Sequence, residues 1–471
     1  MASGSVTMSV TGMARGQAPL LPPRSLVPAR PLLQRRTLTM AEPFPAEGLP
    51  LEEARRLILA ALQPLGGRET LPLALALGRT TAEPVRAVAA VPGFRASIMD
   101  GYAIAGSDPP AIGQCWRLVG RSAAGSPHAG VLGAGEAVRI LTGAVVPEGS
   151  GRVLPQELVR LVDGEGDRDT ATASTGDSLA RTADPTLELV GACGANAWIR
   201  SPQEECAAGV ELVPVGHRLG VADLGRLASC GIEQLALTAR PRLGLLISGD
   251  ELLPPGAPRG PGQIWESNSA LLTALLERLG YGVAQVQVVS DRPDRLRRAL
   301  GELAASCDLV VSTGGISAGD SDWIRALVAE LGEVSFWKLF LKPGRPFAWG
   351  HVGGTPFFGL PGNPVAAAIT ALQLLWPALQ QLEGAQVQLL PRLRVRLAQP
   401  LRRGAGRPEL ARAHLEAASD GGLLARIEGS QASSRIGSLQ GSDLLLEIPA
   451  ELGNLEAGTE LWAQLLRLPI F

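Results

Sequence analysis

The sequence predicts a multidomain α/β protein, with a central three-layer domain built on a parallel sheet and smaller β domains beside it. Three observations predict it. The chain has 471 residues, too many for one hydrophobic core, and a length of this kind suggests about three domains. From Pro241 onward, continuous apolar runs alternate with amphipathic helical patterns, the signature of a parallel sheet with helices on both faces. On either side of that block lie short alternating strands separated by glycine turns.

Composition narrows the classes. The chain is 46% hydrophobic and 19% charged, with a mean hydropathy of +0.16, as expected for a globular protein. A net charge of −2 and a pI near 6.2 give no basic field for nucleic acid or an anionic membrane. No apolar run is expected to reach the ~18–20 residues of a membrane span. Five cysteines without a C-x-x-C and four isolated histidines argue against a disulfide framework or a structural zinc site. A reducing cytoplasm is the expected location.

Residues 1–45 carry five arginines and no acid before Glu42. They read as a transit-like leader, as a disordered tail, or as sequence upstream of a start at Met40. LPLEEARRLILAALQPL reads as a helix from Leu49 to about Leu62. Residues 91–106 read as a turn and a short strand, and residues 110–160 as a small β domain. Residues 163–186 are polar and low in complexity, a surface loop insertion. RLGLLIS, VAQVQVVS, CDLVVSTGG and the run into FGLPGNP read as strands. ESNSALLTALLERLG, DRPDRLRRALGELAAS, SDWIRALVAELG and the segment after Asn363 read as helices. Beyond about Gln388 short strands return, which predicts a final β domain.

Chemistry gathers at the predicted strand ends. CDLVVSTGGISAGDSD places Gly314, Gly315, Ser317, Asp320 and Asp322 between a strand and a helix. Glycines there let backbone N–H groups approach a phosphate. The first strand ends at Ser248-Gly249-Asp250-Glu251, the second near Asp291, and the last at Pro361-Gly362-Asn363. In open α/β sheets the ligand binds beyond such ends. Glu251, Asp291 and Asp322 would repel one another unless protonated or bridged by a cation, and an oxygen-only set suits Mg²⁺ completed by substrate phosphates.

FWKLFLKPGRP contains both lysines of the chain, Lys338 and Lys342, against 41 arginines. Read as a strand from Phe336 to Leu341, the segment would turn both lysines to one side, with Arg345 following in a Pro-Gly turn. Lysine is a compact point charge and arginine a planar fork, so a small oxyanion in a tight pocket favours lysine. A second cluster, SIMDGYA with LTGAVVPEG, carries Asp100 and Thr142.

ASIMDGYAI, ILTGAVVPEG, ISGDEL, GQIWESN, STGGISAGDSD, FWKLFLKPGRPFAWG and FGLPGNPVAA, in that order, resemble the molybdopterin molybdenumtransferase family, to which the C-terminal region of gephyrin belongs. The resemblance covers roughly residues 46–471. It implies a split helical and extended domain (46–88 and 208–240) around a β domain (89–207), an α/β molybdopterin-binding domain (241–388) and a C-terminal β domain (389–471). It also implies a homodimer with active sites between subunits, and a transferase that uses adenylylated molybdopterin and molybdate with Mg²⁺. The upstream adenylyltransferase and recipient molybdoenzymes are implied partners. By resemblance, Asp100, Thr142, Glu251, Asp291, Asp322, Lys338 and Lys342 are catalytic. Lys342, Arg345, Arg412 and Ser433 would surround molybdate, and Arg200 opens the family's R-x-x-G-E-D segment. That segment departs from the family at Gln203 and Glu205, and Ala366 stands where the family has serine. A catalytically altered carrier or scaffold and a molybdopterin adenylyltransferase are the alternative readings.

Overall fold

Apolar alternation in two central strands organises the molecule. In Leu243–Ser248, Leu245 and Ile247 enter one buried cluster while Leu246 enters another on the opposite face. In Leu309–Thr313, Val311 and Val310 divide in the same way. Both strands are buried along their whole length, so both faces must be covered. Asn268–Arg278 covers one face through Leu272 and Leu276. Pro293–Ser306 and Trp323–Leu331 cover the other through Leu296, Leu300, Ile324 and Leu327. The predicted three layers are present. The computed structural model describes residues 47–162, 185–316, 323–427 and 429–467. The expected loop at 163–186 therefore lies almost wholly outside the described residues, as do residues 1–45.

The sheet order is Val283–Val289, Leu243–Ser248, Leu309–Thr313, Thr355–Leu360, Ala348–Val352, Gly332–Trp337. The first four strands are parallel, and Ala348–Val352 alone runs antiparallel to both of its neighbours. The expected all-parallel sheet is thus a mixed one, because a two-glycine turn, Gly353-Gly354, closes a hairpin instead of a helical crossover. The expected strand Phe336–Leu341 is also corrected. The strand ends at Trp337, and Lys338 takes a left-handed conformation with φ of 68°. Period-two alternation stops there, so it does not relate Lys338 to Lys342.

The segments on either side of the β region pair with each other. Arg68–Pro72 lies antiparallel to Gln234–Thr238, and Val85–Arg86 to Glu211–Val213. Between them is a six-stranded mixed sheet that includes Cys115–Ser122, Glu136–Ile140 and Ser150–Pro155, within the β domain expected over residues 110–160. The C-terminal strands close into a five-stranded barrel around Val395, Ala411, Leu446 and Ala463.

The helical run Pro364–Glu383 spans 20 residues and is apolar enough to cross a membrane by length and composition, contrary to the sequence expectation. Its most apolar window is 94% buried, which makes it a core helix. Pro377 lacks the N–H that would bond the Gln373 carbonyl, and a π turn forms over Ala371–Leu375. Arg55 on the first helix, Leu51–Ala61, donates from Nε to that carbonyl at 3.0 Å and from Nη2 to the Gln373 Oε1 at 3.2 Å. The vacated backbone acceptor thus docks the N-terminal helix.

A second buried link ties Arg218 to the end of this run. Its guanidinium meets Glu383 Oε2 at 2.5 Å and the Tyr281 hydroxyl, and Tyr281 donates to Glu383 at 2.7 Å. Burial pushes the Tyr281 phenol up, keeping it a donor. Removing one member of a buried ion pair costs about 3–5 kcal/mol because the partner is left uncompensated. Glu383→Ala is therefore expected to lower unfolding free energy in urea by about 3 kcal/mol. A midpoint equal to wild type would show that the link contributes nothing.

Candidate active site

Two glycines let the strand ends converge. Gly314 has φ of +88°, and a Cβ there would sit 2.5 Å from the Ser248 carbonyl oxygen; Gly315 has φ of +61°. Asn268, buried at the start of its helix, donates to Thr313 Oγ1 at 3.2 Å and to the Gly362 carbonyl at 2.8 Å. It thereby staples two strand-end loops together. Its own Oδ1 is buried without a partner among the described residues. Beyond these ends lies a cavity of about 860 Å³. The turn after Leu341 and the barrel loop around Ser433 complete its lining.

Lys342 sits on the seam. Its N–H donates to the Pro408 carbonyl at 2.9 Å and its carbonyl accepts from Leu410 N–H at 2.8 Å. Its ammonium lies 3.0 Å from the buried carboxylate of Glu409, which also pairs with Arg403 at 3.3 Å. The Lys342 side chain keeps 49% exposure, so it reaches cavity and carboxylate together. Arg345 and Arg407 line the same cavity. Arg407 escaped the sequence reading, although it stands in GRPEL only five residues before Arg412. Ser433 lines the cavity too, its hydroxyl accepting from Asn363 Nδ2 at 3.0 Å and its carbonyl from Val365 N–H at 3.1 Å.

Acids belong to the strand-end loops. Glu251 lines the cavity, with Pro361, Gly362, Gly314 and Gly315 also on its walls. Asp291 is anchored by its N–H donating to Asp250 Oδ1 at 3.0 Å. Burial raises the Asp291 carboxyl above its ordinary range; the Ser248 hydroxyl opposes this, and the charges of Asp250 and Glu251 add to it. One Asp291 oxygen, Oδ1, is buried with no partner among the described residues. A cation would relieve the repulsion that Asp250 and Glu251 exert on Asp291. Ser317, Asp320 and Asp322 lie outside the described residues. Among the described residues no group of three His, Cys, Asp or Glu is placed to hold a metal.

Other predicted residues stand elsewhere. Lys338 does not line the cavity; its ammonium lies 3.8 Å from the centroid of the Trp337 ring. Arg412 is buried behind the barrel loop, donating from Nε to Ser438 Oγ at 3.1 Å and from Nη2 to the Ala432 carbonyl at 3.2 Å. Burial lowers its pKa, and its Nη1 has no partner among the described residues. Arg200 pairs with Glu204 at 3.0 Å and Glu205 at 3.7 Å. Gln203 has φ of 64°, so this backbone keeps the left-handed turn that glycine would adopt at least cost. Asp100 Oδ1 accepts from the Thr142 N–H at 2.7 Å and from its hydroxyl at 2.8 Å. Asp100, Thr142 and Arg200 all belong to the β region and none of them lines the cavity.

Three family descriptions match in order: MoeA N-terminal region (domain I and II) at residues 49–231, probable molybdopterin binding domain at 244–381, and MoeA C-terminal region (domain IV) at 394–466. A molybdopterin molybdenumtransferase of Haemophilus influenzae is 32% identical over 413 residues, covering 87% of this chain and 96% of the relative. The chain belongs to the MoeA family. Among MoeA relatives, gephyrin of Dictyostelium discoideum is 27% identical over 461 residues, covering 87% of this chain and 61% of gephyrin. A crystal structure of the molybdopterin biosynthesis MoeA protein of Pyrococcus horikoshii OT3 superposes with a TM-score of 0.71 at 25% identity, covering 89% of this chain and all of that one.

The Asp100–Thr142 bond makes a pH prediction. Thr142 holds the Asp100 carboxyl below its ordinary range, chiefly through the backbone N–H. A depressed folded-state pKa adds stability above the unfolded value, about 3.9, and that stability is lost as pH falls through the folded value. Wild type is therefore expected to lose an increment of stability below about pH 4 that Asp100→Ala lacks. Parallel stability curves for the two proteins across that range would contradict the assignment.

Proposed function

We propose that this chain is a molybdopterin molybdenumtransferase that takes adenylylated molybdopterin and molybdate, releases AMP and yields molybdenum cofactor. The observation that carries this reading is the charge layout of the cavity. Lys342, Arg345 and Arg407 line it together with Glu251, whose charge also acts on Asp291. A substrate with phosphoryl groups and a second small oxyanion meets the cations directly. Backbone around Gly314 and Gly315 allows phosphoryl oxygens a close approach. The ammonium of Lys342 offers a compact charge to molybdate, with Ser433 beside it as a hydroxyl donor. Mg²⁺ near Glu251, Asp291 and Asp322 would supply charge neutralisation at the pyrophosphate. Arg412 braces the loop that presents Ser433, a positioning role in place of direct contact with the anion.

Asp100 and Thr142 lie off the cavity of their own chain, which supports a homodimer in which a second copy brings them to it. There Asp100 would orient the attacking oxygen. The upstream adenylyltransferase and recipient molybdoenzymes are the partners this chemistry implies, in the cytoplasm.

Purified protein with adenylylated molybdopterin, Mg²⁺ and molybdate is expected to release AMP in a molybdate-dependent manner and to yield cofactor that reconstitutes a molybdoenzyme. Tight binding without AMP release would make the chain a carrier. Lys342→Met is expected to weaken molybdate binding at least about tenfold, the loss of a charge-assisted contact worth ~1.5–3 kcal/mol. Lys342→Arg, which keeps the charge but not its compactness, is expected to recover less than half of that loss in free energy. Wild-type affinity in both variants would remove Lys342 from the anion site.

A further inference from the structure

The short ladder that carries Glu251 also carries a tryptophan. Leu252–Leu253 and Ile264–Trp265 pair in parallel, with Leu253 opposite Trp265. Ile264 N–H donates to the Glu251 carbonyl at 2.9 Å, and Glu266 N–H donates to the Leu253 carbonyl at 2.8 Å. Trp265 lines the cavity and is 46% exposed; Ile264 beside it is 49% exposed and lines the cavity as well. Neither side chain joins any of the buried apolar clusters, so the core does not account for them.

The ring is nevertheless held in one orientation. Its indole N–H donates to the Ala257 carbonyl at 2.9 Å. The Arg259 guanidinium lies over it, 4.1 Å from the ring centroid. A half-exposed indole, fixed by a hydrogen bond at its edge and a cation on its face, is a preformed platform that costs little ordering when a flat ring lands on it. The same cavity presents Lys342, Arg345 and Arg407 to an anionic group. A ligand with an anionic part and a planar heteroaromatic part would satisfy both.

We propose that Trp265, backed by Arg259, is a stacking subsite for a fused nitrogen heterocycle of the substrate. This rests on the proposed function, whose substrate carries two such rings, adenine and pterin. Trp265 acts as a positioning and specificity residue. It holds the ring and so fixes where the phosphoryl groups fall between Glu251 and the cationic wall.

The test is calorimetric binding to the full-length protein of three probes: 5′-AMP, ribose 5-phosphate and unadenylylated molybdopterin. Trp265→Ala is expected to weaken one ring-bearing probe about tenfold, the scale of base–aromatic stacking, while leaving ribose 5-phosphate within about twofold. Trp265→Phe should recover most of the loss. A loss for AMP assigns the platform to adenine; a loss for molybdopterin assigns it to pterin. Unchanged affinity for both ring probes in Trp265→Ala overturns the subsite, as does an equal loss for ribose 5-phosphate, which would mean that the loop itself had moved. Wild-type turnover, measured in parallel, separates the two failures: an active wild type with an indifferent Trp265→Ala removes only the stacking role.

Discussion

Lys342 joins two parts of the molecule, and the cavity exists because they are joined. Its backbone extends the edge of the barrel at Pro408 and Leu410, while its side chain lies against the buried Glu409. Glu409 is shared with Arg403, so the carboxylate would be stranded without its cations. The strand ends alone would form an open rim. With the barrel held at this seam, the loop around Ser433 faces Gly362 and Asn363 and completes the lining. One ammonium thus serves the architecture and still keeps an open flank toward the cavity.

The charge arrangement follows from the same seam. Cations arrive with the turn after Leu341 and with Arg407, on the barrel side. Acids arrive with the ends of the first two parallel strands. Lys342 pairs instead with Glu409, and among the described residues no ion pair joins these cations to Glu251 or Asp291. Asp291 shows the consequence: burial and the nearby Asp250 and Glu251 hold its carboxyl high, and one of its oxygens has no partner among the described residues. A site of that kind gains most from a ligand that brings phosphoryl oxygens to the cations and positive charge to the acids.

Much of this was legible in the sequence where the signal is local. Gly314 and Gly315 had to be glycine because of a close approach and positive φ, and the S-T-G-G run announced it. Glu251, Asn363 and Gly362 follow strand-like runs directly, and the rim could be placed from them. The strand reading of Phe336–Leu341 failed because alternation was extended past Trp337, where a left-handed residue ends the strand. Arg407 and Trp265 were missed because long-range pairing puts them at the cavity: the Lys342–Glu409 bridge in one case, the Leu253–Trp265 register in the other. Asp100 and Thr142 are 42 residues apart; the sequence grouped their segments, the family resemblance gave them a shared role, and their hydrogen bond gives the grouping a physical basis.

The central claim is that the seam at Lys342 is an oxyanion site. An anomalous difference map at the molybdenum edge, from crystals equilibrated with molybdate and AMP, would test it most directly. The account predicts a molybdenum peak inside the cavity, within hydrogen-bonding reach of the Lys342 ammonium and the Ser433 hydroxyl. A peak confined to the β region near Arg200, with the cavity empty of molybdenum, would contradict it.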